Sequence, residues 1–161
     1  MRILSLLPAA TEIVYLLGLE KYLVGVSREC DYPPQVKVKP KVTTSSVSNQ
    51  MSSLEIDSAV GQLTHSGPGV FHIKKDQLKK LKPNLIITQE LCQVCAVGFT
   101  QVKKAARILD VEVKIISLEP ESVKDILENI LLVGEAIGIG QKAEKVIEKL
   151  KERIRNLKLE I

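Results

Sequence analysis

The three cysteines, Cys30, Cys92 and Cys95, are the side chains of this sequence best suited to chemistry. A Cys-x-x-Cys pair with a remote third thiol could hold zinc or another soft metal, because thiolates suit such ions and a closed tetrahedral site takes four donors. Glu29, His65 or His72 would then be the fourth ligand. Alternatively, Cys92 and Cys95 could form a reversible disulfide. A third reading makes all three small apolar residues that line a core or a ligand, since one Cys-x-x-Cys is only half of a zinc signature. An odd cysteine count leaves at least one thiol unpaired within the chain.

Other reactive arrangements are sparse. The sequence contains no Gly-x-Ser-x-Gly, no Walker-type phosphate loop, no His-Glu-x-x-His and no Gly-x-Gly-x-x-Gly following a strand. Glu29 and Glu90 could face each other as acid and base, but two carboxylates on separate loops suit packing or ligand contact better. The two histidines read as ordinary residues of a loop and a helix approach. The expectation is a protein that is not an enzyme and requires no cofactor.

The elements that would position these residues follow an α/β pattern: an open, mainly parallel sheet flanked by helices and ending in a long helix. Arg2 to Leu7 reads as the first strand, closed by Pro8. A helix with Thr11 and Glu12 in its first turn follows, its apolar face made by Ile13, Leu16 and Leu17 and its end by Gly18. Leu23 to Ser27 is a second strand, leading into a proline-stiffened turn over Arg28 to Pro34. A short strand over Lys41 to Thr43, a serine-rich loop to Ser53 and a helix from Leu54 to Leu63 come next. His65 to Gly69 reads as a loop and Lys74 to Leu81 as a short helix ended by Pro83.

Asn84 to Gln89 is the clearest buried strand. A helix over Phe99 to Leu109 separates it from another strand, Val111 to Leu118. Ser122 to Ile137 and Gln141 to Leu159 are amphipathic helices, the last about 28 Å long at 1.5 Å per residue. In such a sheet the binding crevice lies outside the carboxyl ends of the strands. The loops beginning at Leu7, Ser27 and Thr88 therefore carry the site, and they hold all three cysteines.

Composition restricts the alternatives. Hydrophobic residues make up 45% and charged residues 26%, so the chain is globular rather than disordered. Its apolar runs are far shorter than the ~20 residues that cross a bilayer. Net charge is +4, but basic stretches without stacking aromatics argue against nucleic acid as a partner. The opening residues form no secretory signal. As the sequence stands the protein is cytoplasmic, or it lies outside the cytoplasm if a signal has been removed.

Three segments bring the sequence close to a known family: residues 3–12 (Ile-Leu-Ser-Leu-Leu-Pro-Ala-Ala-Thr-Glu), Val24-Gly25-Val26-Ser27 leading to Asp31-Tyr32-Pro33-Pro34, and Leu81-Lys82-Pro83-Asn84-Leu85-Ile86-Ile87. With these, and with the runs Glu29 to Pro34 and Gln89 to Val97, the whole chain resembles the cobalamin and iron-siderophore class of periplasmic solute-binding proteins of ABC transporters. Its cobalamin-binding branch is the nearest.

The resemblance implies a ligand held between two α/β lobes joined by one long helix. Residues 1–140 would be the amino-terminal lobe and residues 141–161 the connecting strut, with the second lobe absent from this chain. The ligand, cobalamin or a related metal chelate, would touch Pro8, Glu29, Cys30, Tyr32, Gln89, Glu90, Cys92 and Cys95. Glu29 stands where relatives can carry an aromatic. Asp76 matches the acidic residue that docks on the transporter permease. An isolated lobe would bind weakly and could pair with a second copy through exposed apolar surface. The competing reading is an intracellular thiol-based metal-binding or redox protein using Cys30, Cys92 and Cys95, with zinc as its metal.

Overall fold

The computed structural model describes residues 1–48, 50–66, 70–90, 97–109 and 111–159, with side chains described at all of these except 64–66, 158 and 159. Two short apolar segments sit at its centre. β1 (Ile3–Ser5) and β5 (Leu85–Thr88) have no residue that reaches solvent. Burial on both faces explains why they read as continuous apolar runs rather than alternating ones. β2 (Leu23–Val26) pairs parallel to β1, and β6 (Lys114–Ser117) pairs parallel to β5, giving the order β2-β1-β5-β6. The sheet is therefore open and parallel, as the alternating pattern predicts.

Helices cover both faces. On one, α1 (Pro8–Leu16), α5 (Val123–Ala136) and α6 (Gly140–Leu159) pack over Ile3, Leu23, Leu85 and Ile87 through Val14, Leu17, Ile130 and Ala143. On the other, α3 (Lys75–Leu81) and α4 (Phe99–Ala106) cover Leu4, Leu6 and Ile86 through Leu78, Leu81, Val102 and Ala105. A two-stranded antiparallel ribbon, β3 (Thr43–Ser45) with β4 (Phe71–Ile73), flanks α2 (Ser53–Ser66). It is tied to β2 where the amide of Val42 donates to Val26 O at 2.9 Å and that of Val26 to Pro40 O at 3.0 Å.

Several boundaries differ from the sequence reading, each for a local reason. Pro8 opens α1 at its first position, where a missing N–H costs nothing. The apolar stripe consequently runs through Ala10, Ile13, Val14 and Leu17, and Leu16 turns outward at 44% exposed. His65 and Ser66 complete the last turn of α2 instead of starting a loop, and residues 67–69 lie outside the described residues. β4 was hidden because three residues show no usable periodicity. Val111 falls before β6 and is 46% exposed.

Helix starts use paired caps. Ser122 accepts from the amide of Asp125 at 3.2 Å, while Asp125 accepts from the amide of Glu121 at 3.0 Å. Ser52 and Glu55 make the corresponding arrangement ahead of α2. These hydrogen bonds hold the carboxyl groups of Asp125 and Glu55 below their ordinary range, the Ser122 and Ser52 hydroxyls being the largest cause. Their contribution to stability is therefore present at neutral pH and lost as pH falls through those lowered values.

α5 and α6 form a helical hairpin turned by Gly138, whose φ of 78° suits glycine. Their contact is close because Gly134 carries no side chain. A Cβ placed there would lie 2.5 Å from Cβ of Ala143, inside any tolerable contact. The Gly134→Val variant should lose about 2 kcal/mol or more, the scale of an overpacked core with no room to yield. Urea unfolding of the two proteins checks this, and an unchanged midpoint would show that the hairpin opens freely.

Candidate functional site

β1 and β5 run parallel, but the helices that follow them lie on opposite faces of the sheet. After β1 the chain turns to α1 on one face of the sheet, and after β5 it turns to α4 on the other. This switch point puts the expected crevice at the carboxyl ends of these two strands, the place where open parallel sheets bind ligands. The loop after β2 borders it on one side and the loop after β6, from Leu118 to Ser122, on the other.

What fixes this edge is a set of hydroxyls at the ends of the strands. Ser5, the last residue of β1, donates to Leu7 O at 3.0 Å. Thr11 Oγ1 lies 2.8 Å from Ser5 Oγ and 3.1 Å from Cys30 Sγ, and Ser27 Oγ lies 3.1 Å from the same sulfur. Ser5, Thr11, Ser27 and Cys30 are all buried. Across the crevice, Thr88 at the end of β5 donates to Val97 O at 2.5 Å, joining the two ends of the loop it begins. Ser117 at the end of β6 donates to Glu119 Oε1 at 2.7 Å. Buried polar groups of this kind are tolerable only when paired. No buried side-chain nitrogen or oxygen among the described residues lacks a partner.

The expected site residues separate into different roles. Pro8 and Glu29 are exposed at the crevice, with Glu29 Oε1 3.9 Å from Arg28 Nε. Tyr32 is 61% exposed. It also lines a groove of about 560 Å³ with Ala9, Ile13, Ile126 and Leu150, where the helical face meets the crevice edge. Gln89 is half-buried and bridges to Gly98. Glu90 acts on α4, accepting from the amide of Thr100 at 3.1 Å and lying 3.4 Å from its hydroxyl. A carboxylate there also meets the positive end of the helix dipole. β1 stands between β2 and β5, so the Glu29 and Glu90 loops leave the sheet about 10 Å apart, and each carboxylate has a partner of its own, Arg28 for Glu29 and the Thr100 amide for Glu90.

Cys30 corrects the sequence reading. It is 0% exposed, packed in the core beneath α1 with its sulfur against two hydroxyls, so it does not line the crevice. Its backbone carbonyl is also taken, by the ammonium of Lys41. Cys92 and Cys95 lie outside the described residues. Among the described residues, no cluster of three or more His, Cys, Asp or Glu side chains is placed to hold a metal. His72 belongs to β4 and meets Ser46 Oγ at 2.8 Å through Nε2. The side chain of His65 is not among those described. Asp76 is exposed in the first turn of α3.

The residues missed by reading the sequence are Ser5, Thr11, Ser27, Thr88 and Ser117. Their signal was a hydroxyl residue at the carboxyl end of every parallel strand. Two outcomes are expected of this network. With Cys92 and Cys95 replaced by serine, Cys30 should react with a thiol reagent no faster than the protein unfolds. Thr11→Val should cost about 1–3 kcal/mol in urea unfolding, the range for a buried hydrogen-bonding group losing its partner. Fast labelling of Cys30 would disprove the buried arrangement.

This geometry has parallels in known proteins. An uncharacterized ABC transporter substrate-binding lipoprotein of Bacillus subtilis is 25% identical over 156 residues, covering 97% of this chain and 40% of that protein. The vitamin B12-binding protein of Vibrio cholerae is 33% identical over 116 residues, covering 68% of this chain and 33% of that one. In fold, the chain superposes on the apo periplasmic heme-binding protein of Roseiflexus with a TM-score of 0.65 at 24% identity, over 96% of this chain and 48% of that one. The chain thus spans less than half the length of these relatives. Because the periplasmic binding protein family matches it from residue 3 to residue 161, across the sheet, the crevice and the long helix, this chain belongs to that family.

Proposed function

We propose that this chain is one lobe of the solute-binding component of an ABC importer, and that its crevice takes a cobalamin or a related metal chelate. The observation that carries the reading is the switch of helices to opposite faces after β1 and β5, in a chain 33% identical over 116 residues to a vitamin B12-binding protein. Pro8, Glu29, Tyr32 and Gln89 are the proposed wall on this side, and Cys92 and Cys95 are proposed as further ligand contacts. Tyr32 offers the exposed aromatic ring that a large, partly apolar macrocycle can lie against. Cys30 is removed from the wall and Glu90 serves it indirectly, by holding the start of α4.

On this reading α6 leads toward a second lobe that supplies the opposite wall, and the protein works outside the cytoplasmic membrane. Asp76 is the proposed contact for basic residues of the permease.

Titration of the purified chain with cyanocobalamin, followed by heat release, tests the ligand. A single wall buries only part of a ligand that a closed site would bury by 70–90%, so a dissociation constant of roughly tens of micromolar is expected. Tyr32→Ala should weaken it about fivefold, the value of one aromatic contact. No heat with cobalamin, and none with heme, would overturn the reading.

A further inference from the structure

The charge of this molecule is unevenly placed. Residues 74–82 hold five lysines and residues 103–114 hold three lysines and an arginine, against the carboxylates Asp76, Asp110 and Glu112. That is an excess of six positive charges in a chain whose net charge is +4, so the remainder is net −2. All nine cations are exposed, and none forms an ion pair among the described residues. The α6 lysines differ, because glutamates alternate with them and Lys151 closes on Glu148 at 2.9 Å.

These cations lie on the α3–α4 face and the approach to β6, and apolar side chains stand among them. A depression of about 340 Å³ is lined by Lys79, Lys82, Ile108, Leu109 and Val111. It adjoins another of about 420 Å³ that shares Leu109 and Val111 and adds Lys103 and Arg107. Val111 is 46% exposed between them. Exposed lysines around exposed or half-buried aliphatics match the two demands of an anionic bilayer surface: diffuse attraction to phosphate headgroups and shallow burial of hydrocarbon. Nucleic acid would favour stacking aromatics and forked arginine contacts, and eight of these nine cations are lysine. No helix among the described residues is long and apolar enough to cross a membrane, so contact would be peripheral.

We propose that the α3–α4 face docks on an anionic phospholipid membrane. The crevice lies on a different side, at the carboxyl edge of the sheet, and stays open when this face is seated. The inference is independent of the ligand reading above.

Co-sedimentation with vesicles of phosphatidylcholine containing about one-third phosphatidylglycerol tests it, with pure phosphatidylcholine as the neutral surface. The expected result is binding to the anionic vesicles alone, lost at high salt. Replacing Lys79, Lys82, Lys103 and Arg107 with glutamine should reduce partitioning at least about a hundredfold, at roughly fivefold per cation. The same change at Lys145, Lys149, Lys151 and Arg155 of α6 should reduce it far less. Val111→Ser, which leaves the charge intact, should weaken binding severalfold. Three results would overturn the proposal: no binding to anionic vesicles at low salt, equal loss in the α6 variant, or tighter binding to duplex DNA than to vesicles at matched salt.

Discussion

Two strands buried on both faces impose the constraint on which the rest of this structure depends. β1 and β5 run through the middle of the sheet with no exposed residue, and where each stops, the backbone must leave the ladder without stranding its polar groups. The chain solves this with hydroxyl side chains. Ser5 satisfies Leu7 O, Thr88 satisfies Val97 O, and Ser5 O itself accepts from the amide of Ser27 at 2.8 Å. These segments therefore leave the core already tied, and their exposed parts are free to carry polar residues such as Glu29. Cys30 belongs to this supporting layer, since its sulfur joins the loop after β2 to the first helix through Thr11.

The same layer ties the carboxyl ends of a parallel sheet only four strands wide to the segments that follow them. Thr11 reaches six residues back to Ser5 and nineteen on to Cys30, and Thr88 reaches nine to Val97, so each hydroxyl ties together parts of the chain that are apart in sequence. Thr88 closes the loop from 89 to 96 at its base, and the cap that Glu90 places on α4 reinforces that closure from outside.

Much of this was legible in the amino-acid sequence, and the failures have physical causes. The double burial of Leu85 to Thr88 and the 3.6-residue stripe of α6 are long, strong signals, and both predict their elements correctly. Ala143 and Ile147 are buried in that stripe, whereas Leu157 at its far end is 62% exposed, beyond the cover of α5. β4 and the true face of α1 were not legible. A three-residue strand has too few positions for a period, and Pro8 shifts the start of α1, which rotates Leu16 out and Val14 in. Cys30 misled because its chemistry suggests a ligand while its size suits a packed position equally well. Position in a loop after a strand could not distinguish the two; the neighbouring Thr11 and Ser27 do.

On the proposed reading, the length of α6 has an energetic meaning. Twenty residues span about 30 Å, against about 21 Å for the fourteen of α5, so the hairpin that begins at Gly138 carries α6 past its partner. A second wall joined through a rigid helix meets the ligand as an intramolecular partner and pays little further translational entropy. Rigidity in turn requires that α6 be fixed to the lobe, and the contact that fixes it is the close approach of Gly134 and Ala143. A side chain at position 134 would therefore act at a distance. By tilting α6 on α5 it would misplace the second wall relative to Pro8 and Gln89, even though neither residue of the crevice had changed.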